Sequence, residues 1–338
     1  MIDLLVAGGG PAGLVTALHA ARAGLSVTVV ERRTPPIDKA CGEGMMPYTI
    51  QQLDALGITP PGKPFRGITY LDSERTVDAP FRAGSGLGVR RTALHSALVD
   101  AACAAGVDLV TAHVGSISQD SDSVQCAGFR ARYLAAADGL HSPIRRSLGL
   151  ALPSRGSRRW GLRRHIHVPP WSERVEVYWG DGAEAYVTPV ADDCVGIAIL
   201  TARQGSFESR LAGFGALSDR VNGHPHGPER AAGPLRQRVA GRTAGRVMLV
   251  GDAAGYVDAL TGEGLGIAFG GAELLVNCVL AERPQDYDRQ WRRMSRRYRV
   301  LTAGLLHAVE FAPTRSRIMP AATAFPSAFT RIVNLLAY

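Results

Sequence analysis

Ile2-Asp3-Leu4-Leu5-Val6-Ala7-Gly8-Gly9-Gly10-Pro11-Ala12-Gly13 is an apolar run feeding directly into a glycine cluster. An Ala/Leu-rich stretch with helical spacing follows from Leu14 to Ala23. After Gly24 comes a β-branched run, Val27-Thr28-Val29-Val30, that ends at Glu31. The pattern predicts strand, glycine turn, helix, strand and acidic residue, the unit that binds a dinucleotide. Gly8 permits the tight turn, Gly10 lets a pyrophosphate approach the backbone, and Gly13 lets the helix pack close to the strand. Pro11 and Ala12 open the helix whose free N–H groups face the phosphates. Glu31 is placed to accept hydrogen bonds from an adenosine ribose, with Arg32 directly after it.

Outward from that unit, the 338 residues are long enough for one large or two modest domains, and 46% hydrophobic with 20% charged residues is a globular composition. The net charge of +8 invites a nucleic-acid reading. However, only Lys39 and Lys63 are lysines, so 36 of the 38 basic residues are arginine, which points to a GC-rich codon composition and not to a nucleic-acid partner. Five scattered cysteines, Cys41, Cys103, Cys126, Cys194 and Cys278, have no metal-ligand spacing, and nine histidines show none either, so no metal site is expected. Asp3 and the glycines argue against a signal peptide, and no apolar run is long enough to span a membrane. The expectation is a cytoplasmic protein of open oligomeric state. The arginines from Arg289 to Arg299, followed by apolar Leu301 to Phe311, add the expectation of peripheral contact with the inner membrane surface.

Further along, the pattern predicts helices over Tyr48 to Leu56, Arg91 to Ala105 and Ile267 to Leu280, and one long helix over Tyr287 to Phe311. A hairpin is expected over Phe65 to Phe81. Strands over Leu162 to Val168, Arg174 to Trp179, Ala185 to Val190 and Cys194 to Leu200 predict an antiparallel sheet. Residues 204–238 carry no pattern that places them, and Pro313, Pro320 and Pro326 punctuate the tail.

Three separated motifs, Gly8 to Gly13, Asp138-Gly139 with Ser142 and Arg145, and Gly251-Asp252, resemble in order and spacing the cofactor motifs of the p-hydroxybenzoate hydroxylase superfamily of FAD proteins. The resemblance implies an α/β fold: a Rossmann-type, glutathione-reductase-like FAD-binding domain of residues 1–64, 82–157 and 239–284, an inserted β-sheet substrate domain of residues 65–81 and 158–238, and a C-terminal helical segment of residues 285–338. It assigns Arg91 to the cofactor phosphates, Asp138 and Arg145 to the network around the flavin, and Asp252 to a ribitol hydroxyl. Gly262, Gly264 and Leu265 would open a helix whose positive end faces the flavin N1–C2 edge.

Within the superfamily, Cys41-Gly42-Glu43-Gly44-Met45-Met46-Pro47, Gly251 to Gly255 and Thr261 to Gly264 look most like the geranylgeranyl reductase branch. That places Cys41, Gly42 and Met45 at the flavin. The branch's Pro-x-x-Tyr-x-Trp-x-Phe-Pro segment is altered here to Asp181, Glu184, Tyr186 and Thr188 before Pro189, and the halogenase Gly-Trp-x-Trp-x-Ile-Pro segment is absent. The leading expectation is therefore an FAD-dependent monooxygenase acting through a flavin C4a-(hydro)peroxide on an apolar, aromatic or polyketide-like small molecule. The alternative is a reductase of C=C bonds in a prenyl or lipid substrate, with Cys41 or Glu43 as proton donor. Tyr186 and Trp179 are the expected pocket aromatics, with Tyr186 a candidate catalytic residue beside Cys41 and Glu43. Electrons would come from NAD(P)H bound transiently or from a separate reductase.

Overall fold

The computed structural model describes every residue except Ala83, Arg155, Ser157 and Tyr338. Its first sheet runs in the order Thr243–Ala244, Val247–Leu249, Phe129–Ala136, Ile2–Ala7, Val27–Glu31, Asp108–Thr111. The four pairings from Val247–Leu249 to Asp108–Thr111 are parallel. Leu4, Leu5, Leu134, Ala135 and Leu249 are fully buried, as expected of strands covered on both faces. Ile2–Ala7 sits where the strand order reverses, with the second strand on one side and Phe129–Ala136 on the other. A crevice therefore opens beyond its C-terminal end, at Gly8 and Asp138. Pro11–Arg22 packs against both Arg91–Ala104 and Gly264–Leu280.

The second sheet has the order Arg230–Ala232, Trp160–Ile166, Cys194–Thr201, Ala183–Ala191, Val175–Gly180, Gly67–Leu71, Thr76–Pro80. The four strands expected to form an antiparallel sheet pair antiparallel throughout, and beyond them Val175–Gly180 pairs in parallel with Gly67–Leu71. The chain passes through the first sheet between these two strands, so no hairpin constrains their direction. Register places Tyr186 opposite Val177 and Ala198, Glu184 opposite Trp179 and Leu200, and Tyr70 opposite Val177. These side chains share one face, because successive residues of a strand alternate. The other face carries Ala185, Val187, Val195, Ile197 and Ile199, which form a separate core with Phe207, Phe214 and Leu217. Residues 204–238, which the pattern left unplaced, supply the helices Phe207–Leu211 and Gly215–Val221 that cover this face, and the edge strand Arg230–Ala232.

The C-terminal segment departs from expectation. The helix expected over Tyr287 to Phe311 is broken at buried Ser295 into Tyr287–Met294 and Arg296–Glu310. The prolines do not end helical structure: Pro313 and Pro326 lie in the first turns of Ala312–Ala324 and Pro326–Ala337, where no intrahelical N–H is needed, and Pro320 lies inside its helix. The last helix packs on Thr76–Pro80. Asn334 fixes it there, accepting from the Arg82 N–H at 2.9 Å and donating to the Pro80 carbonyl at 2.9 Å.

Replacing Asn334 by Leu keeps the branched shape and removes both bonds. Two orphaned main-chain groups should cost about 2 kcal/mol, and hydrogen exchange should then rise selectively over residues 326–337. Unchanged protection of that helix would mean that Asn334 does not anchor it.

Candidate functional site

A cavity of about 910 Å³ occupies the crevice at the strand reversal. The first sheet and its loops contribute Gly8, Gly10, Glu31, Asp138, Gly251 and Asp252. The second sheet contributes Tyr70, Val177, Trp179, Tyr186 and Leu200 from its inner face. Leu305, Val333, Leu336 and Ala337 come from the C-terminal helices. Of the expected site residues, Gly13 and Met45 do not line it. Gly13 lies behind the turn, where an added Cβ would fall 1.9 Å from the Gly8 carbonyl oxygen, so its absence of a side chain is a packing requirement. Met45, the end of the two-residue strand Gly44–Met45, points into the core at 1% exposure, and its neighbour Met46 lines the cavity instead.

The glycine turn has the shape a pyrophosphate requires. Gly8 has φ +114°, and a Cβ there would meet the Ala137 carbonyl oxygen at 2.4 Å. A Cβ on Gly10 would meet nothing closer than Arg91 Nη2 at 3.9 Å, so that direction is open. The helix behind it has Gly10 as N-cap, no side-chain cap and no acidic residue in its first turn, which leaves its N–H groups and positive end for an anion. Arg91 is buried with Nε lacking a partner. Glu31 accepts from the Gly9 N–H at 3.0 Å and from Arg33 through both oxygens, so a ribose hydroxyl would share a carboxylate already oriented. Arg32 lines the cavity as well. These features fit FAD.

At the neighbouring strand ends, Asp138 accepts from the Ile144 N–H at 3.0 Å while its Oδ1 is buried without a partner. Asp138 and Arg145 do not pair with each other. Arg145 instead donates to the Asp252 and Ala253 carbonyls at 3.2 and 3.1 Å, to the Leu140 carbonyl at 2.8 Å and to Gln237 Oε1 at 2.7 Å. Asp252 faces the cavity, and burial pushes its carboxyl above the usual range while Lys39 and Arg91 oppose that shift. Gly251 has φ +64°, and a Cβ there would meet the Ala12 methyl at 2.6 Å, so this motif packs directly on the first helix. Gly262, Gly264 and Leu265 reach the cavity wall at the start of Gly264–Leu280.

The loop of residues 38–46 crosses between the two sheets. Glu43, 3% exposed, adopts φ 60°, a backbone region unusual for a residue with a side chain. One oxygen accepts from the Arg91 N–H at 2.8 Å and the other lies 2.6 Å from His165 Nε2. Arg163 contacts His165 and pairs with Asp38, which also pairs with Arg230. Glu43 is thus a fixed element of a buried network; Lys39 and Glu43 of this loop line the cavity, as does Cys41. Its Sγ accepts from the Glu43 N–H at 3.4 Å, and burial raises the thiol pKa, so it stays protonated.

On the second sheet, Tyr186 donates to the Leu260 carbonyl at 3.0 Å, joining the sheet to the loop before Gly264–Leu280. Glu184, beside it on the same face, pairs with Arg159, which also lies 3.7 Å from Asp258. Burial pushes Glu184 up to about 7. Glu263 is 5% exposed, has one oxygen without a partner, and is pushed by burial up to about 8. Sequence reasoning missed Arg33, Arg163, His165 and Glu263 as parts of the site. His165 and Glu43 are 122 residues apart, and only the placement of the second sheet brings them together.

The fold and this cleft are those of an FAD-dependent oxidoreductase. A family described as "FAD binding domain" matches residues 1–225, and the chain belongs to it, in the group typified by p-hydroxybenzoate hydroxylase. The chain is 29% identical to a menaquinone reductase of Mycobacterium tuberculosis, over 99% of this chain and 91% of that one. It is 30% identical to digeranylgeranylglycerophospholipid reductase 1 of Methanopyrus kandleri, over 79% and 77% respectively. A flavoprotein/dehydrogenase from Cytophaga hutchinsonii has the same fold, with a TM-score of 0.80 at 20% identity, covering 100% of this chain and 93% of that one.

Gly10→Val would place its methyl groups in the open direction and touch little of the protein. The variant should fold with an unchanged thermal midpoint and far-UV spectrum yet bind FAD about 100-fold more weakly, a loss of ~2.7 kcal/mol. Full flavin occupancy in the purified variant would remove the pyrophosphate assignment. Glu263 offers a pH test. Its native pKa lies above the ordinary carboxylate value, so between about pH 4.5 and 8 the native state holds a proton that the unfolded chain has released, and stability falls as pH rises through that window. Glu263→Gln cannot ionise. In urea denaturation of flavin-free protein it should therefore gain on the parent between pH 5 and pH 8, by on the order of 2 kcal/mol. A constant difference between the two pH values would mean that Glu263 is not held protonated.

Proposed function

We propose that the protein is an FAD-dependent reductase of carbon–carbon double bonds in an isoprenoid-tailed or similarly apolar lipid. The observation that carries this reading is the continuous apolar wall formed by Ile68, Tyr70, Val175, Val177, Trp179 and Leu200 on the inner face of the second sheet. The preference for hydroxylation rested on the lost aromatics before Pro189. In the fold, Tyr70, Trp179 and Tyr186 come from three adjacent strands and line the cavity together, while Glu184 is taken up by Arg159. The missing motif therefore no longer speaks against an isoprenoid chain. The similarity to two reductases of isoprenoid compounds over most of the chain supports the same direction.

FAD, when bound, supplies the hydride, with electrons drawn from NAD(P)H or a separate reductase. The wall holds the apolar chain and excludes water. Cys41, protonated and at the cavity, is the proton donor to the second carbon of the double bond, and Glu43 acts through it as a positioning residue: its N–H fixes the sulfur, and His165 and the Arg91 N–H fix Glu43. Tyr186 holds the loop of Leu260 against the sheet.

The test is anaerobic. Reduced holoenzyme mixed with a detergent-solubilised prenylated quinone or digeranylgeranyl lipid should reoxidise its flavin without O₂ and give a product two hydrogens heavier. Cys41→Ala should slow that step by about 10²-fold or more, with FAD affinity unchanged. Turnover only with O₂, with one oxygen atom appearing in the product, would replace this reading by the monooxygenase one.

A further inference from the structure

The last helix, Pro326–Ala337, is apolar on two faces. Val333, Leu336 and Ala337 line the cavity. On the opposite side Ile332 and Leu335 are 50% and 43% exposed, in a stripe with exposed Ala328 and Arg331, and Phe325 just before the helix is 69% exposed. Phe311, between the two preceding helices Arg296–Glu310 and Ala312–Ala324, is 55% exposed as well. Residues 296–338 contain six arginines, Arg296, Arg297, Arg299, Arg315, Arg317 and Arg331, against a single acid, Glu310. Arg315 pairs with Asp181, while Arg296, Arg317 and Arg331 are exposed and make no ion pair with a described residue. No helix of the described residues is long and apolar enough to cross a membrane.

We propose that this C-terminal face docks on an anionic membrane surface, with Phe325, Ile332 and Leu335 among the acyl chains and Arg317 and Arg331 at the headgroups. The lipid substrate then passes between Leu305 and Leu336 into the cavity. A helix of 12 residues is about 18 Å long, too short to span a bilayer and suited to lying in its interface. The near absence of acids selects an anionic surface, since each exposed arginine is attracted to anionic headgroups and gains nothing from a neutral surface. This face differs from the one expected from Leu301 to Phe311. Leu306 and Val309 of that run are buried against the protein, and Arg289 and Arg292 pair with Asp286 and Asp288. The membrane docking stands on the exposed face alone, whereas the route for the substrate rests on the lipid-reductase reading.

The experiment is co-sedimentation of holoenzyme with vesicles of phosphatidylcholine alone and of phosphatidylcholine mixed with phosphatidylglycerol, at low and high salt. Binding is expected to the phosphatidylglycerol vesicles, weakened by salt. Ile332→Glu/Leu335→Glu and, separately, Arg317→Gln/Arg331→Gln should each bind about tenfold more weakly or worse, with unchanged flavin absorbance and thermal midpoint. Both variants should keep wild-type turnover on detergent-solubilised substrate. No binding to phosphatidylglycerol vesicles, or equal binding by the Glu variant, overturns the proposal. So does a wild-type dimer that the Glu variant dissociates in the absence of vesicle binding, which would make the face a contact between copies of the chain. Because sedimentation needs no turnover, vesicle binding by an enzyme inactive on prenyl lipids would refute the reductase reading and leave the docking intact.

Discussion

Arg145 is the side chain on which the geometry of the cleft depends. Its guanidinium, almost wholly removed from solvent, donates to carbonyls on both strand-end loops, at Leu140 on one and at Asp252 and Ala253 on the other, and to Gln237 on the segment leading back from the second sheet. Gln237 in turn exchanges main-chain hydrogen bonds with Tyr256. Three segments far apart in sequence therefore share one cation. Burying that cation is costly unless its donors are used, and carbonyl dipoles with one side-chain amide satisfy most of them. A carboxylate partner would have given a stronger pair but would have consumed Asp138 or Asp252, the acids beside Arg145 that line the cavity. Neutral acceptors leave both acids available.

The first sheet was legible because its signals are local. Gly8 to Gly13 with the flanking strands places the turn, the helix and Glu31 within 31 residues, and parallel strands buried on both faces announce themselves as apolar runs. The order of the three motifs extended that reading across the chain. The direction of Gly67–Leu71 against Val175–Gly180 was not legible, since strands joined through another domain carry no hairpin signal. Residues 204–238 failed for a related reason: their helices are five and seven residues long, too short to display a period, and they are held by packing on the outer face of the sheet. In the tail, Pro313 and Pro326 mark the starts of new helices just after the breaks at Phe311 and Phe325, whereas Pro320 lies inside its helix, which its type alone does not announce.

Site legibility divides in the same way. Cys41 and Glu43 sit where the motif put them, at the cleft, but their roles separate only in three dimensions. Glu43 takes up a left-handed backbone conformation that costs roughly 1 kcal/mol or more. The surroundings hold it there: Arg91 N–H and His165 bind the two oxygens, and Gly196 leaves room, since a Cβ at that position would come 2.8 Å from Oε2. A carboxylate so constrained cannot rotate toward a substrate without abandoning buried partners. The thiol two residues earlier has one weak contact and keeps its proton. The sequence offers two candidate acids two residues apart, and the packing gives them different surroundings.

The second sheet separates the tasks of stability and binding by strand alternation. Its outward residues, from Ala185 to Ile199, build a core with the short helices, so that core does not depend on what occupies the cavity. Its inward residues are then free to vary toward a ligand, and the absence of one aromatic motif on Ala183–Ala191 is offset by Trp179 and Tyr70 on the next two strands. The apolar wall they form ends at the last helix, where Val333 and Ala337 complete it. That helix is anchored to the strand edge by Asn334 and by apolar contact, and its outer side carries Ile332 and Leu335 with the single cation Arg331. The apolar wall completed by the last helix gives the cavity an apolar side distinct from the glycine turn that fits a pyrophosphate. An anionic group is favoured at the end with free N–H groups and arginine, and apolar surface at the wall of the second sheet, by electrostatics and hydrophobic burial alone.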